Sequence, residues 1–312
     1  MYNPENVRKI KICIRAVLIS LVIVPSILMV SVFAKSAQLQ EQMENLSQKL
    51  RETETQLELE QSLAQEDPDF AVTKAQVKNG GRGEPLSDLY PDMIVEWRED
   101  PVRVQEEPTV YLTFDDGPSA LTPELLDLLD EYNVKATFFV VSNNNEKYMD
   151  YCKEIVERGH ALGMHSYTHD YQKVYASKES FLADFHRQFT QLKELTGETP
   201  VLYRFPGGSD NDRLEKSGFS EDIRMEMASR GFIYHDWNVS SEDASYLAKS
   251  KDQIVRNVIT GVGNKNHAVV LMHNSVNKAS TIEALPEIIE TLRARGYQFD
   301  KLTSEIKPIH FS

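Results

Sequence analysis

The chain has 312 residues, enough for one sizeable domain with appendages, and its 41% hydrophobic fraction is ordinary for a globular core. A formal net charge of −14 argues against nucleic acid as a partner. Two cysteines, Cys13 and Cys152, exclude a disulfide framework and a cysteine-ligated zinc site.

Residues 1–15 carry Arg8, Lys9, Lys11 and Arg15, and residues 16–34 (AVLISLVIVPSILMVSVFA) hold no charge. That apolar length suits a bilayer span, and Pro25 does not forbid one. Only Lys35 follows closely, so the charge bias predicts a single-pass cell-membrane anchor with a cytoplasmic N-terminus and an extracellular domain. A cleaved signal peptide is the competing reading, because VFAKSA offers small residues near a cut. Leu39, Met43, Leu46, Leu50, Thr53 and Leu57 alternate steps of four and three. This heptad spacing predicts a short coiled-coil stalk over 35–65, which can bring two copies together as a homodimer. A solvated single-helix stalk is the alternative. Residues 66–94, with KNGGRGEPLSD, read as a linker, and 95–312 as the exterior domain.

In that domain apolar runs alternate with amphipathic segments. TVYLTF reads as a strand, and LTPELLDLLDEYN as a helix with Thr122 as N-cap and Pro123 in its first turn. ATFFVVS is a second strand, and EKYMDYCKEIVERG a helix closed by Gly159 in which Cys152 packs. HALGMH is a third strand. SKESFLADFHRQFTQLKELTG sets Phe181, Phe185, Phe189, Leu192 and Leu195 on one helical face. VLYRFP is a fourth strand, SEDIRMEMASRG a helix and FIYHDWNV a fifth strand. SKDQIVRNVITGV, AVVLMH, TIEALPEIIETLRARG and YQFDKLT continue as helix, strand, helix and last strand. About seven βα units predict an α/β fold with a parallel sheet and outer helices. A barrel, incomplete or distorted, fits better than an open sheet, although periodicity does not separate the two.

Chemistry in such folds gathers at the C-terminal ends of the strands. Those ends carry Asp115 and Asp116, His165 with His169 just beyond, Arg204, the run 238–243, and His273. His165 and His169 are four apart in HSYTH, which on a helical turn faces both imidazoles the same way. Alone the pair is weak. Joined by one aspartate of the DD pair it makes an Asp-His-His set with open positions, the pattern of a catalytic metal. Zinc is the first choice for this divalent ion, and cobalt, nickel or manganese accept the same donors. A hydrolase also needs a base for the water and an acid for the leaving group. The other aspartate offers the base, His273 the acid, and Arg204 a charge that keeps the base ionised. An ordinary ion pair for Arg204 and a capped strand end for His273 are the plain alternatives, and their shared rim favours the catalytic reading. His160, His186, His235 and His267 read as structural or surface residues.

TFDDGP, HSYTH, RFPGG, WNVSSEDA and LMHNS occur in this order, and over roughly residues 105–305 the chain resembles the polysaccharide deacetylases, carbohydrate esterase family 4. The resemblance implies a distorted (β/α) barrel of about seven parallel strands and metal-dependent removal of N- or O-acetyl groups from a glycan. It implies Asp115 as catalytic base, Asp116, His165 and His169 as metal ligands, and Arg204 as the residue that orients Asp115. His273 would be the general acid, tuned by Asp243. Leu271 would line the pocket for the acetyl methyl, the Gly207 N–H would serve the oxyanion, and Trp237 stands on the substrate side. Gly207 occupies a position where many members carry an aromatic residue. Ser240 and Ala244 stand where an aspartate and a tryptophan are frequent. These departures touch the substrate groove more than the reaction.

Anchor, stalk and family together point to an envelope glycan, first the N-acetylglucosamine of peptidoglycan. Chitin oligomers, a poly-N-acetylglucosamine exopolysaccharide and xylan are the alternatives. A non-catalytic glycan-binding or scaffold module on a coiled-coil stalk is the reading of another class. The full set of ligands, base and acid weighs against it.

Overall fold

Residues 86–95, 107–142, 146–244 and 249–311 are described in the computed structural model, all within the unit Gly80–Ser312. Eight strands alternate with helices: β1 (Thr109–Asp115), α1 (Thr122–Glu131), β2 (Thr137–Val141), α2 (Glu146–Glu157), β3 (Ala161–Ser166), α3 (Tyr171–Val174), α4 (Lys178–Thr196), β4 (Leu202–Tyr203), α5 (Asp212–Ser217), α6 (Ser220–Ser229), β5 (Ile233–Tyr234), β6 (Val239–Ser240), α7 (Lys251–Val262), β7 (His267–His273), α8 (Ala279–Ala294) and β8 (Gln298–Phe299). The sheet runs β5-β4-β3-β2-β1-β7-β6, with β8 added on β1, and every pairing is parallel.

All seven residues of β1 are buried, as expected of a parallel strand covered on both faces. Val110, Leu112 and Phe114 join the larger core beneath the helices, with Leu125, Leu126 and Leu129 of α1. Tyr111 belongs instead to a smaller cluster with Phe139, Leu202, Val269, Leu302 and Ile306. Strand alternation therefore sends the odd-numbered residues of β1 into the barrel. This direction carries Asp115 to the interior.

The predicted strand FIYHDWNV is interrupted. Its first part, β5, pairs with β4, and its continuation, β6, pairs with β7. The chain between them joins the two edges of the sheet, and β5 and β6 counted as one interrupted strand leave seven. Part of the seam is filled by the C-terminal tail, where Asp236 N donates to Ile309 O at 2.8 Å. The fold is thus a distorted, incompletely closed (β/α) barrel.

Local sequence signals account for most helix ends. The Ser177 hydroxyl accepts from Ser180 N at the start of α4, Gly197 closes that helix in the left-handed region, and Ser250 with Gln253 forms a capping box on α7. Thr122 departs from its expected N-cap role. It is the first residue of α1, and its hydroxyl accepts from Ser119 N at 2.8 Å. Cys152 is fully buried, and burial pushes its thiol up to about 12, consistent with a packing role.

Residues 86–95, most of which the sequence reading gives to the linker, pack against the domain. The Arg230 guanidinium donates to the carbonyls of Leu86, Leu89, Tyr90 and Met93, and Met93 is fully buried. The expected N-terminal segment 1–15, anchor 16–34, stalk 35–65 and the linker up to 85 lie outside the described residues. Among the described residues no helix is long and apolar enough to cross a membrane.

Candidate active site

β1 and β7 pair in register along their length, and Asp115 is opposite His273. The chain leaves β1 through Asp116, which adopts φ 66°, in the left-handed region. This reversal ends the strand alternation, so adjacent carboxylates reach one rim from different directions. Asp115 is 3% exposed, and its Oδ1 accepts from Arg204 Nη1 at 2.8 Å. Arg204 is fully buried. It also donates to Thr113 Oγ1 (2.8 Å), His235 O (2.7 Å) and Asp236 O (3.0 Å), and its guanidinium lies 4.3 Å from the Phe139 ring centroid. These contacts fix the cation in one orientation. Burial raises the Asp115 pKa and outweighs the opposing pull of Arg204 and His273. Arg204 therefore limits the rise rather than holding the carboxyl below its usual range.

Asp116, His165 and His169 offer ligand atoms that all lie within 4.8 Å of one another. Asp116 Oδ1 stands 3.7 Å from His165 Nε2 and 3.3 Å from His169 Nε2. His165 Nδ1 is 2.9 Å from the Arg204 carbonyl, to which it can donate only as N–H, leaving the Nε2 lone pair toward Asp116. Burial, aided by the neighbouring His169, lowers the His165 pKa to about 3, so the ring stays in its neutral, ligating form. Asp116 Oδ1 is itself buried without a hydrogen-bond partner. A two-imidazole, one-carboxylate donor set converging on an orphaned oxygen fits a divalent metal. Asp115 Oδ2 lies 3.7 Å from His165 Nε2, so its second oxygen faces the triad while Oδ1 is committed to Arg204. His165 and His169 do not share the helical turn expected from their spacing: β3 ends at Ser166, and His169 lies beyond it at φ 52°.

His273 Nδ1 lies 2.7 Å from Asp243 Oδ1. Asp243 Oδ2 accepts from His273 N (2.9 Å) and Thr281 Oγ1 (2.8 Å). Burial alone would lower the His273 pKa, but the hydrogen bond and charge of Asp243 raise it overall. Asp243 in turn is lowered, because His273 and Thr281 outweigh its burial.

The model for polysaccharide deacetylases matches residues 103–224. A peptidoglycan-N-acetylglucosamine deacetylase of Bacillus cereus is 34% identical over 212 residues, spanning 66% of this chain and 74% of the relative. The chain belongs to the polysaccharide deacetylase family. Among solved structures, the catalytic domain of the peptidoglycan N-acetylglucosamine deacetylase from Eubacterium rectale is similar with a TM-score of 0.65 and 39% identity, covering 68% of this chain and 96% of that one. The polysaccharide deacetylase Bc1974 from Bacillus cereus has a TM-score of 0.58 and 33% identity, covering 65% and 97%.

In this family member the RFPGG loop is lined by aromatic rings. Gly207 and Gly208 both have positive φ, 79° and 88°. A Cβ on Gly207 would stand 2.9 Å from the Tyr171 ring edge and hydroxyl. One on Gly208 would stand 2.7 Å from Phe311 and 3.0 Å from Trp237. Tyr171 also meets the His169 ring edge-on at 5.5 Å. Trp237 thus reaches the RFPGG loop. Leu271 is buried on β7 opposite Thr113 and Ser240, two positions before His273 and so on the same strand face.

Sequence reasoning missed the buried polar residues that brace the deacetylase motifs. Asn274 N donates to the Asp115 carbonyl at 2.8 Å, and its amide donates to Thr122 Oγ1 at 2.9 Å. A Cβ on Gly117 would lie 2.8 Å from that amide, so DDGP and Asn274 are in close contact. The Asp236 carboxylate accepts from Ser209 N, Ser209 Oγ and Phe311 N at 2.9, 2.6 and 3.0 Å, tying the RFPGG loop to the chain's end. Asn274 stands inside the LMHNS motif, which gave it no role of its own. Asp236 had no sequence signal.

Proposed function

We propose that the domain hydrolyses the N-acetyl group of N-acetylglucosamine in peptidoglycan, releasing acetate and leaving a free amine. The observation that carries this reading is one rim on which the Asp116, His165 and His169 triad adjoins a buried Asp115–Arg204 pair and a His273–Asp243 pair. The similarity to peptidoglycan N-acetylglucosamine deacetylases supports the substrate.

Asp116, His165 and His169 would hold a divalent cation, zinc as first choice, that would supply Lewis acidity toward the carbonyl and lower the pKa of water. Asp115 takes the attacking water's proton on the oxygen that Arg204 leaves free. The Gly207 N–H donates to the developing oxyanion. His273, with Nδ1–H committed to Asp243, delivers a proton from Nε2 to the leaving nitrogen. Leu271 lines the acetyl methyl's pocket, and Trp237 borders the sugar. Arg204 holds Asp115 against rotation.

The apolar run 16–34 and the heptads of 35–65 support a membrane-tethered domain on the cell exterior, with the stalk as a route to a homodimer. Acetate release from peptidoglycan, chitin oligomers, poly-N-acetylglucosamine and acetylated xylan tests the substrate. Fastest release from peptidoglycan is expected. Faster release from another polymer would replace this assignment, and no release from any would favour a non-catalytic module.

A further inference from the structure

We propose that Asp184 is a positioning residue that sets the metal affinity of the site by holding the turn between His165 and His169. The inference rests on reading Asp116, His165 and His169 as metal ligands. Asp184 comes from α4, outside every motif, and is 9% exposed. Its carboxylate accepts four hydrogen bonds from three consecutive residues. Oδ2 accepts from Ser166 Oγ and Tyr167 N, both at 2.7 Å. Oδ1 accepts from Thr168 N at 3.0 Å and Thr168 Oγ1 at 2.6 Å. Ser166 Oγ, having donated its proton, accepts from His169 N at 2.8 Å.

The N–H groups of residues 167, 168 and 169 therefore all end on Asp184, two directly and one through Ser166. Successive backbone N–H groups turned toward one point form a concavity that binds an anion. Here the anion is a side chain fixed on a packed helix, since Phe181, Phe185 and Phe189 of α4 lie in the core. His169 must hold a left-handed φ of 52° to bring its imidazole beside that of His165, their centroids 5.0 Å apart. An L-residue adopts that region only where its surroundings impose it. Asp184 supplies the imposition without touching either imidazole. Partners that hydrogen-bond a metal ligand directly are worth about 10–100-fold in affinity, and the same range is expected where the partner fixes the backbone that carries the ligand.

Asp184→Asn tests the assignment. The amide keeps one acceptor oxygen, and its NH2 meets N–H and O–H donors. Zinc alone is titrated into the metal-free full chain of wild type, Asp184→Asn and Thr168→Val, with the thermal midpoint of each metal-free protein and the absorption spectrum of each cobalt-loaded one. Asp184→Asn is expected to weaken zinc binding about 10–100-fold and to alter the cobalt spectrum. Thr168→Val, which keeps the backbone bonds, is expected to show a smaller loss with an unchanged midpoint. Zinc affinity in Asp184→Asn within about twofold of wild type overturns the proposal, because a merely structural aspartate would move the midpoint alone. If Asp184→Asn does not fold, unchanged affinity in Thr168→Val overturns it instead. Absence of zinc binding by the wild type overturns the triad reading and this proposal with it.

Discussion

Asp115 and His273 stand opposite one another in the β1–β7 register, so the proposed proton acceptor and proton donor share one rung of the sheet. Each has its own counter-charge, Arg204 at 2.8 Å and Asp243 at 2.7 Å. Their environments separate their tasks. Burial leaves Asp115 a stronger base than an exposed carboxylate, and Asp243 keeps His273 protonated to higher pH than burial would allow.

Breaking the Asp115–Arg204 pair removes one half of a buried ion pair. Arg204→Met leaves the Asp115 carboxylate without its cation and frees the His235 and Asp236 carbonyls. A loss of roughly 3–5 kcal/mol is expected, with loss of acetate release. Arg204→Lys does not rescue it, because one ammonium cannot reach four acceptors in the guanidinium's fork geometry. Urea unfolding of the two variants checks this.

Asp243→Asn removes the charge that raises His273. The alkaline limb of the kcat/KM profile is expected to move to lower pH, because burial then dominates. Stability follows the same pair. His273 is raised and Asp243 lowered, so their interaction is fully present between the unfolded values of about 4 and 6.5 and is lost as pH rises through the folded His273 pKa. Asp243→Asn is expected to cost more stability at about pH 6 than at about pH 9. Denaturation at the two values, alongside pH–rate profiles, measures both effects.

The rim was legible in the sequence because each of its residues follows a β-prone run, and the strand period is local. Asp115, His165 and His273 needed only the positions of their strand ends. The split of FIYHDWNV was not legible. Each half pairs with a different strand, and the Arg204 bonds to His235 and Asp236 that brace the crossing belong to tertiary structure. His169 follows β3 in a non-helical segment rather than on a helix, and the residues before it hydrogen-bond to a carboxylate on α4 that is far away in sequence. Asp184 itself looked like any acid on an amphipathic helix.

Gly207 is required by conformation and by space. Gly207→Ala is expected to cost roughly 1–2 kcal/mol from its left-handed φ, with a further cost from the contact with Tyr171. Adding Tyr171→Ala removes the collision and not the strain. A double-mutant cycle by denaturation is therefore expected to recover only the Tyr171 share, and full recovery would show that φ is unimportant there.

Arg230→Ala frees the four carbonyls of residues 86–93. Faster hydrogen exchange at Met93 and Val95 is expected, because Val95 N donates to Arg230 O and Met93 is buried beside it. Acetate release is expected to stay near wild type, since Arg230 and His186, which this segment contacts, are not rim residues.

The division of labour between adjacent aspartates is tested most directly by measuring metal content and acetate release together in Asp115→Asn and Asp116→Ala. Asp115→Asn is expected to keep the metal and lose at least about 100-fold in rate, and Asp116→Ala to lose both. Wild-type acetate release by Asp115→Asn, or a full metal load in Asp116→Ala, would contradict the account.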